Sequence, residues 1–297
     1  MTESQPSKPN IQEAYDYCQN LASQHYENFP TASKLIDARL RPAVAAIYAF
    51  ARTADDIADE GLASAEERLQ ALDVWEDLLD ILPQIFEHQC IHIALNDAIQ
   101  RFKLPVQALR DLLTAFRMDC RIQRYANDDE LMHYCHYSAN PVGRLMLALH
   151  GIHDAKAIQA SDAICTALQL TNFWQDFSID HPKGRCYLPE SCLQTCQLTA
   201  EQVIQGDVTI EQVRPAIQHA FDVTESLFFQ GRDLFSLLPL RLRVQIVATW
   251  HGGMRILKAS QSLDNPLICR PKLHKKDWFI MLPNILWDTL FPPKAKK

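Results

Sequence analysis

The stretch PAVAAIYAFARTADDIADEG, Pro42–Gly61, begins as an apolar helix and finishes in acid. Asp55, Asp56, Asp59 and Glu60 crowd its last turns, and Gly61 is the residue type that ends helices. The carboxyl end of a helix carries about half a negative charge from unpaired carbonyls, so lysine, arginine or histidine is its usual occupant. Local physics disfavours four acids there. The stretch predicts that something positive is missing from the sequence.

The spacing of apolar residues by three and four recurs in EERLQALDVWEDLLDIL (66–82), PVQALRDLLTAFRMDCRIQRY (105–125) and AICTALQLTNFWQDFSI (163–179). Alternating strand patterns are absent, and the 8 glycines form neither a dinucleotide fingerprint nor a phosphate-cradling loop. The expectation is about ten helices, broken near Pro30, Gly61, Pro83, Pro105, Asn127, Pro141, Gly151, Pro182 and Pro239. At 297 residues the chain reads as one all-α domain over 11–290, with a polar leader at 1–10 and a polar tail at 291–297.

A net charge of -7 sets nucleic-acid partners aside. Nine cysteines without zinc-type spacing read as reduced thiols of a cytoplasmic protein. The run WFIMLPNILWDTLF from Trp278 is interrupted by Pro283 and Asp288 and is too short to span a bilayer, so at most it docks on a surface at the inner membrane face. No acidic motif lies beside His88 and His92, which read as packing or surface residues. Arg117, Arg121 and Arg124 read as a solvated face paired with nearby acids.

On a helical wheel Tyr48, Arg52, Asp55 and Asp59 fall within about 60°, while Asp56 and Glu60 drift away from them. A lone charge run is usually a solvated face. A second helix, LQLTNFWQDFSIDHPKGR (168–185), repeats the anomaly: Gln169, Asn172, Asp176 and Asp180 lie within about 80°. If the stripes face each other, carboxylates about 6 Å apart repel by roughly 3 kcal/mol per pair, and divalent cations reverse the sign. Carboxylate and amide oxygens without histidine or thiolate suit Mg²⁺, with Mn²⁺ as the alternative, and Mg²⁺ commonly arrives with phosphate oxygens. Arg52, Lys183 and Arg185 are the basic residues placed to hold a diphosphate.

These two motifs, with YCHYSANPVG (134–143) between them, resemble the squalene/phytoene synthase family of head-to-head prenyl synthases. HYENFP (25–30), AFARTADDIADEG (49–61), SANPVGRL (138–145) and LTNFWQDFSIDHPKGRCYLP (170–189) are similar to the branch that makes hydroxysqualene in bacterial hopanoid biosynthesis. The resemblance implies the isoprenoid synthase fold, a helical bundle around a central cavity. It implies metal binding by Asp55, Asp59, Asn172, Asp176 and Asp180, and contact with the diphosphate and its metals by His25, Asn28, Tyr48, Arg52 and Gln169. Tyr134 matches a tyrosine placed near the reacting carbons. Phe29, Phe50, Phe173 and Tyr137 are candidate cavity aromatics, with core packing as the default role of each.

The implied reaction is presqualene diphosphate plus water to hydroxysqualene and diphosphate, without NADPH. Ser138 and Asn140 are expected to hold the water with Tyr134, where many relatives read valine and glycine. Gln175 stands where relatives commonly have arginine, which removes one diphosphate contact, and Gly253 where many have tyrosine. The alternatives are condensation of farnesyl diphosphate to presqualene diphosphate, squalene or dehydrosqualene, or a non-catalytic helical partner of other hopanoid-pathway enzymes.

Overall fold

The computed structural model describes residues 8–24 and 36–293, and no strand occurs among them. Fifteen α-helices follow in chain order within that set. They are α1 (Ile11–Gln24), α2 (Arg41–Asp59), α3 (Ala65–Asp77), α4 (Phe86–Phe102), α5 (Val106–Asp119), α6 (Asp128–Ser138), α7 (Asn140–Leu149) and α8 (Ala155–Gln175). Then come α9 (Phe177–Asp180), α10 (Glu190–Thr195), α11 (Ala200–Gln205), α12 (Ile210–Gly231), α13 (Leu234–Leu237), α14 (Leu240–Gln261) and α15 (Lys275–Leu290). The excess over ten comes from α9, α10, α11 and α13, which are four to six residues long. Fewer than two turns leave no period to read.

The helices group into two compact units, one holding the chain up to Arg121 plus Arg144–His153, the other Ile122–Gly143 plus the chain from Asp154. In the first unit α2 packs against α1, α3, α4 and α5. Every residue from Ala43 to Phe50 is buried, as expected of a helix that is apolar all round. Phe50 stacks on Trp75 at 5.7 Å, and the Trp75 indole N–H donates to the Phe50 carbonyl at 3.2 Å.

It is the carbonyls at the end of α2 that receive a cationic donor from α3. Arg68 donates to the carbonyls of Ala58, Gly61 (3.1 Å) and Ala63 (3.0 Å), while Ser64 and Glu67 form a capping box that fixes the start of its helix. Arg68→Met should destabilise the protein by about 1–3 kcal/mol, a charged donor being lost from several carbonyls. Amide hydrogen exchange should quicken selectively at the carboxyl end of α2. Uniform exchange changes across the first unit would contradict the capping role.

In the second unit α8 packs against α6, α12 and α14. Trp174 donates to the Thr224 hydroxyl at 2.8 Å, and Trp250 to the Phe228 carbonyl at 2.7 Å. A side chain at Gly231 would run into Ile164 and the Ala160 carbonyl, so glycine sets the close approach of α12 to α8. The expected helix through Asp180 is interrupted at Asp176, whose φ and ψ of -103° and 13° leave the helical region. Pro283 and Asp288 break no helix, since α15 runs through both. Among the described residues, no helix is long and apolar enough to cross a membrane.

Candidate active site

The first unit carries the stripe of α2. Tyr48 is buried and the Arg52 side chain is 21% exposed. The guanidinium meets Asp55 at 3.1 Å, Asp56 at 2.5 Å and Glu60 at 2.9 Å. A long arginine therefore reaches the two acids that the wheel had drifting away. Three acids thus share the Arg52 guanidinium, and Asp59 is exposed at the helix end. Burial raises the Asp55 carboxyl, Arg52 pulls it back, and Asp56, Asp59 and Glu60 push it up again. Burial also raises the Tyr48 hydroxyl, which stays protonated and able to donate.

The second unit carries the other stripe. Gln169 is half-buried and Asn172 exposed on α8, and Asp176 caps that helix, its amide donating to the Asn172 carbonyl at 2.9 Å while its own backbone carbonyl accepts from the Asp180 amide at 2.9 Å. The Asp180 carboxyl is raised to about 6 by burial and by Asp176, while Lys183, Arg185 and Arg270 act to lower it. Lys183 and Arg185 thus lie where the sequence reading put them, beside the end of the second motif.

Arg270 was not legible. It sits between α14 and α15, and its guanidinium contacts Asp176 through Nε and, at 3.4 Å, through Nη2. Gln175 donates to the Pro271 carbonyl at 2.6 Å and so fixes the backbone beside it. A guanidinium from 94 residues away thus stands at Asp176, next to Gln175. The neighbouring Cys269 is the one exposed thiol among nine free cysteines.

Tyr134 is buried on α6, with its ring 5.6 Å from Tyr125 and 6.0 Å from Phe173. Tyr187 stacks on Phe173 at 3.6 Å and 7° and completes the group. Tyr125 and Tyr187 fall outside regular helices, which is why periodicity did not find them. Phe50 belongs to the core of the first unit, and Tyr137 packs edge-on against His133 and His136. The Ser138 hydroxyl oxygen is buried without a hydrogen-bond partner among the described residues. The Asn140 side-chain oxygen accepts from the Thr166 hydroxyl at 2.9 Å.

His25, Asn28 and Phe29 lie outside the described residues. His92 is 2.6 Å from the Leu78 carbonyl and His88 lies edge-on to Trp75, so both pack the first unit. Arg117 pairs with Asp73 and Glu76, Arg121 with Glu66, and Arg124 with Glu201. A separate triad, Asp128, Cys192 and His219, brings its donor atoms within 4.8 Å. Burial raises the Cys192 thiol, which disfavours the thiolate that a soft metal needs.

The sequence profile of squalene/phytoene synthase matches residues 22–277. The chain belongs to the squalene/phytoene synthase family. Hydroxysqualene synthase of Rhodopseudomonas palustris is 37% identical over 244 residues, covering 80% of this chain and 80% of that protein. Hydroxysqualene synthase of Sinorhizobium fredii is 40% identical over 266 residues, covering 89% and 88%. The crystal structure of squalene synthase HpnC from Alicyclobacillus acidocaldarius matches with a TM-score of 0.78 and 35% identity, covering 84% of this chain and 94% of that one. The fold is therefore that of the squalene/phytoene synthases, and members of this family are enzymes that bind prenyl diphosphates.

Within the squalene/phytoene synthase frame, Gly253 has a packing reason. A Cβ there would lie 2.5 Å from Leu168 Cδ2 and 2.8 Å from Phe228 Cζ. Those side chains occupy the space that a tyrosine would need.

Proposed function

We propose that the protein converts presqualene diphosphate and water to hydroxysqualene and diphosphate, as a carbon–oxygen lyase of hopanoid biosynthesis. The two relatives that carry the hydroxysqualene synthase name support this branch. The observation that carries the chemistry is that α8 bears both kinds of group the reaction needs. Gln169, Asn172 and the capping Asp176 form an oxygen-donor stripe, and Phe173 of the same helix joins the aromatic group around Tyr134. Leaving-group charge and carbocation are served from one element.

The donor set fits a hard divalent cation: oxygens only, with Asp55, Asp56 and Glu60 sharing one guanidinium on α2 and with burial raising Asp180. Asp55, Asp59, Asn172, Asp176 and Asp180 would hold Mg²⁺, or Mn²⁺ in its place. Bound there, the metal would supply Lewis-acid charge at the departing diphosphate. Arg52, Lys183 and Arg185 bind the diphosphate oxygens by charge, and Tyr48, Gln169, His25 and Asn28 by hydrogen bonds. Tyr134, Tyr125, Phe173 and Tyr187 offer π faces to the cation left behind and keep bulk water from it.

Capture by water needs a polar group in this apolar setting, and the unpartnered Ser138 hydroxyl suits it. Purified protein given Mg²⁺ and presqualene diphosphate, without nicotinamide, should yield hydroxysqualene, and adding NADPH should not divert it to squalene. Turnover of farnesyl diphosphate instead would establish the condensing alternative, and turnover of neither substrate would favour a helical partner role. Ser138→Ala should reduce hydroxysqualene relative to elimination products by roughly tenfold, the worth of about one net hydrogen bond. An unchanged product ratio would refute the water role and leave the diphosphate chemistry standing.

A further inference from the structure

The acidic residues of α15 are turned inward. Asp277 is buried and meets Arg255 at 2.9 Å; Asp288 is buried between Arg232 at 2.8 Å and His251 at 2.9 Å. These pairs, with Met281 and Ile285, hold the helix against α14 and the end of α12. The opposite face is apolar. Phe279, Ile280, Leu286, Trp287, Leu290 and the following Phe291 are each 53–76% exposed and spread over about 140° of the wheel. Asn284 and lysines are the polar groups that interrupt or border them.

Charge singles out the occupant. From Arg270 to the last residue the sequence holds seven cations, Arg270, Lys272, Lys275, Lys276, Lys294, Lys296 and Lys297, and its only acids are Asp277 and Asp288. This lies in a chain whose net charge is -7. Single exposed apolar residues are ordinary, but a contiguous aromatic-rich face bordered by lysines has the make-up of a helix lying in a lipid interface. Tryptophan and phenylalanine suit the headgroup–acyl boundary, and the lysines suit anionic headgroups. A symmetric contact between two copies would bring the lysine-bordered faces together, with like charges opposed.

We propose that the outward face of α15 docks the protein peripherally on an anionic lipid bilayer, with Phe279 and Trp287 entering the interface and Lys275 and Lys276 meeting the headgroups. This goes beyond the proposed reaction and does not depend on it.

Co-sedimentation of the full chain with vesicles tests it without any substrate. The protein should pellet with phosphatidylglycerol/phosphatidylcholine vesicles more than with phosphatidylcholine alone, and salt should weaken this. The double variant Phe279→Ser, Trp287→Ser should lose at least about tenfold in vesicle affinity, two aromatic rings no longer being buried. Its melting temperature should not change, because both side chains are exposed. Lys275→Gln and Lys276→Gln should each cost roughly fivefold on the anionic vesicles alone. No pelleting of the unaltered protein, or undiminished pelleting of the aromatic double variant, would overturn the proposal. So would a dimer in light scattering that the double variant turns into monomer while neither form binds vesicles.

Discussion

Asp176→Asn should lower turnover of presqualene diphosphate by roughly 10²–10³-fold, the range seen when one group that stabilises developing charge is removed, with little change in melting temperature near neutral pH. Two stability effects oppose each other. The pair with Arg270 is lost, but it is partly exposed, at 35% and 27% of the two side chains, and such pairs are worth about 0–1 kcal/mol. Repulsion of Asp180 is relieved at the same time.

Asp180 also gives the substitution a pH signature. Its carboxyl titrates higher in the folded protein, at about 6, than in an unfolded chain. The folded state therefore binds this proton more tightly, and stability falls as pH rises from about 4 through about 6. Without the Asp176 charge the folded value should drop and that decline should shrink. Melting curves from acid to neutral pH, beside a product assay, check both parts. Collapse of the melting temperature would mean that Asp176 is structural.

Arg52→Gln is the second large effect. Activity should fall by roughly 10²–10³-fold, since a fixed cation is lost from the diphosphate. Here stability should fall too, by about 1–2 kcal/mol, because Asp55, Asp56 and Glu60 lose their shared guanidinium. Mg²⁺ should restore much of this, and the rise in melting temperature on adding the metal should exceed that of the unaltered protein, where Arg52 competes for the same oxygens. Equal, negligible shifts in both would remove α2 as a metal-binding element, whatever the activity.

The helical class and the stripe residues were legible because both rest on local periodicity: α2 and α8 are long enough to show which side chains share a face. Arg68 and Arg270 were not. Each answers an electrostatic demand stated plainly by a helix, yet answers it from a different segment, and a wheel has no means of naming a partner beyond its own helix. The break at Asp176 was hidden for a related reason. The backbone bonds Asp176 N–H to Asn172 and Asp180 N–H to Asp176 keep helical spacing across it, so the sequence pattern continues where the geometry falters. The Thr166 hydroxyl that donates to the Asn140 oxygen lies on another helix, so the same limit hid that bond.

The thiol of Cys269 offers a practical consequence. It is exposed while the others are buried or half-buried, and it is adjacent in sequence to the arginine that grips Asp176. A maleimide fluorophore should attach there in preference to the remaining cysteines, with no engineered site. Its emission would then report on the surroundings of the Asp176–Arg270 pair, which gives stopped-flow fluorescence a probe beside that pair under single-turnover conditions.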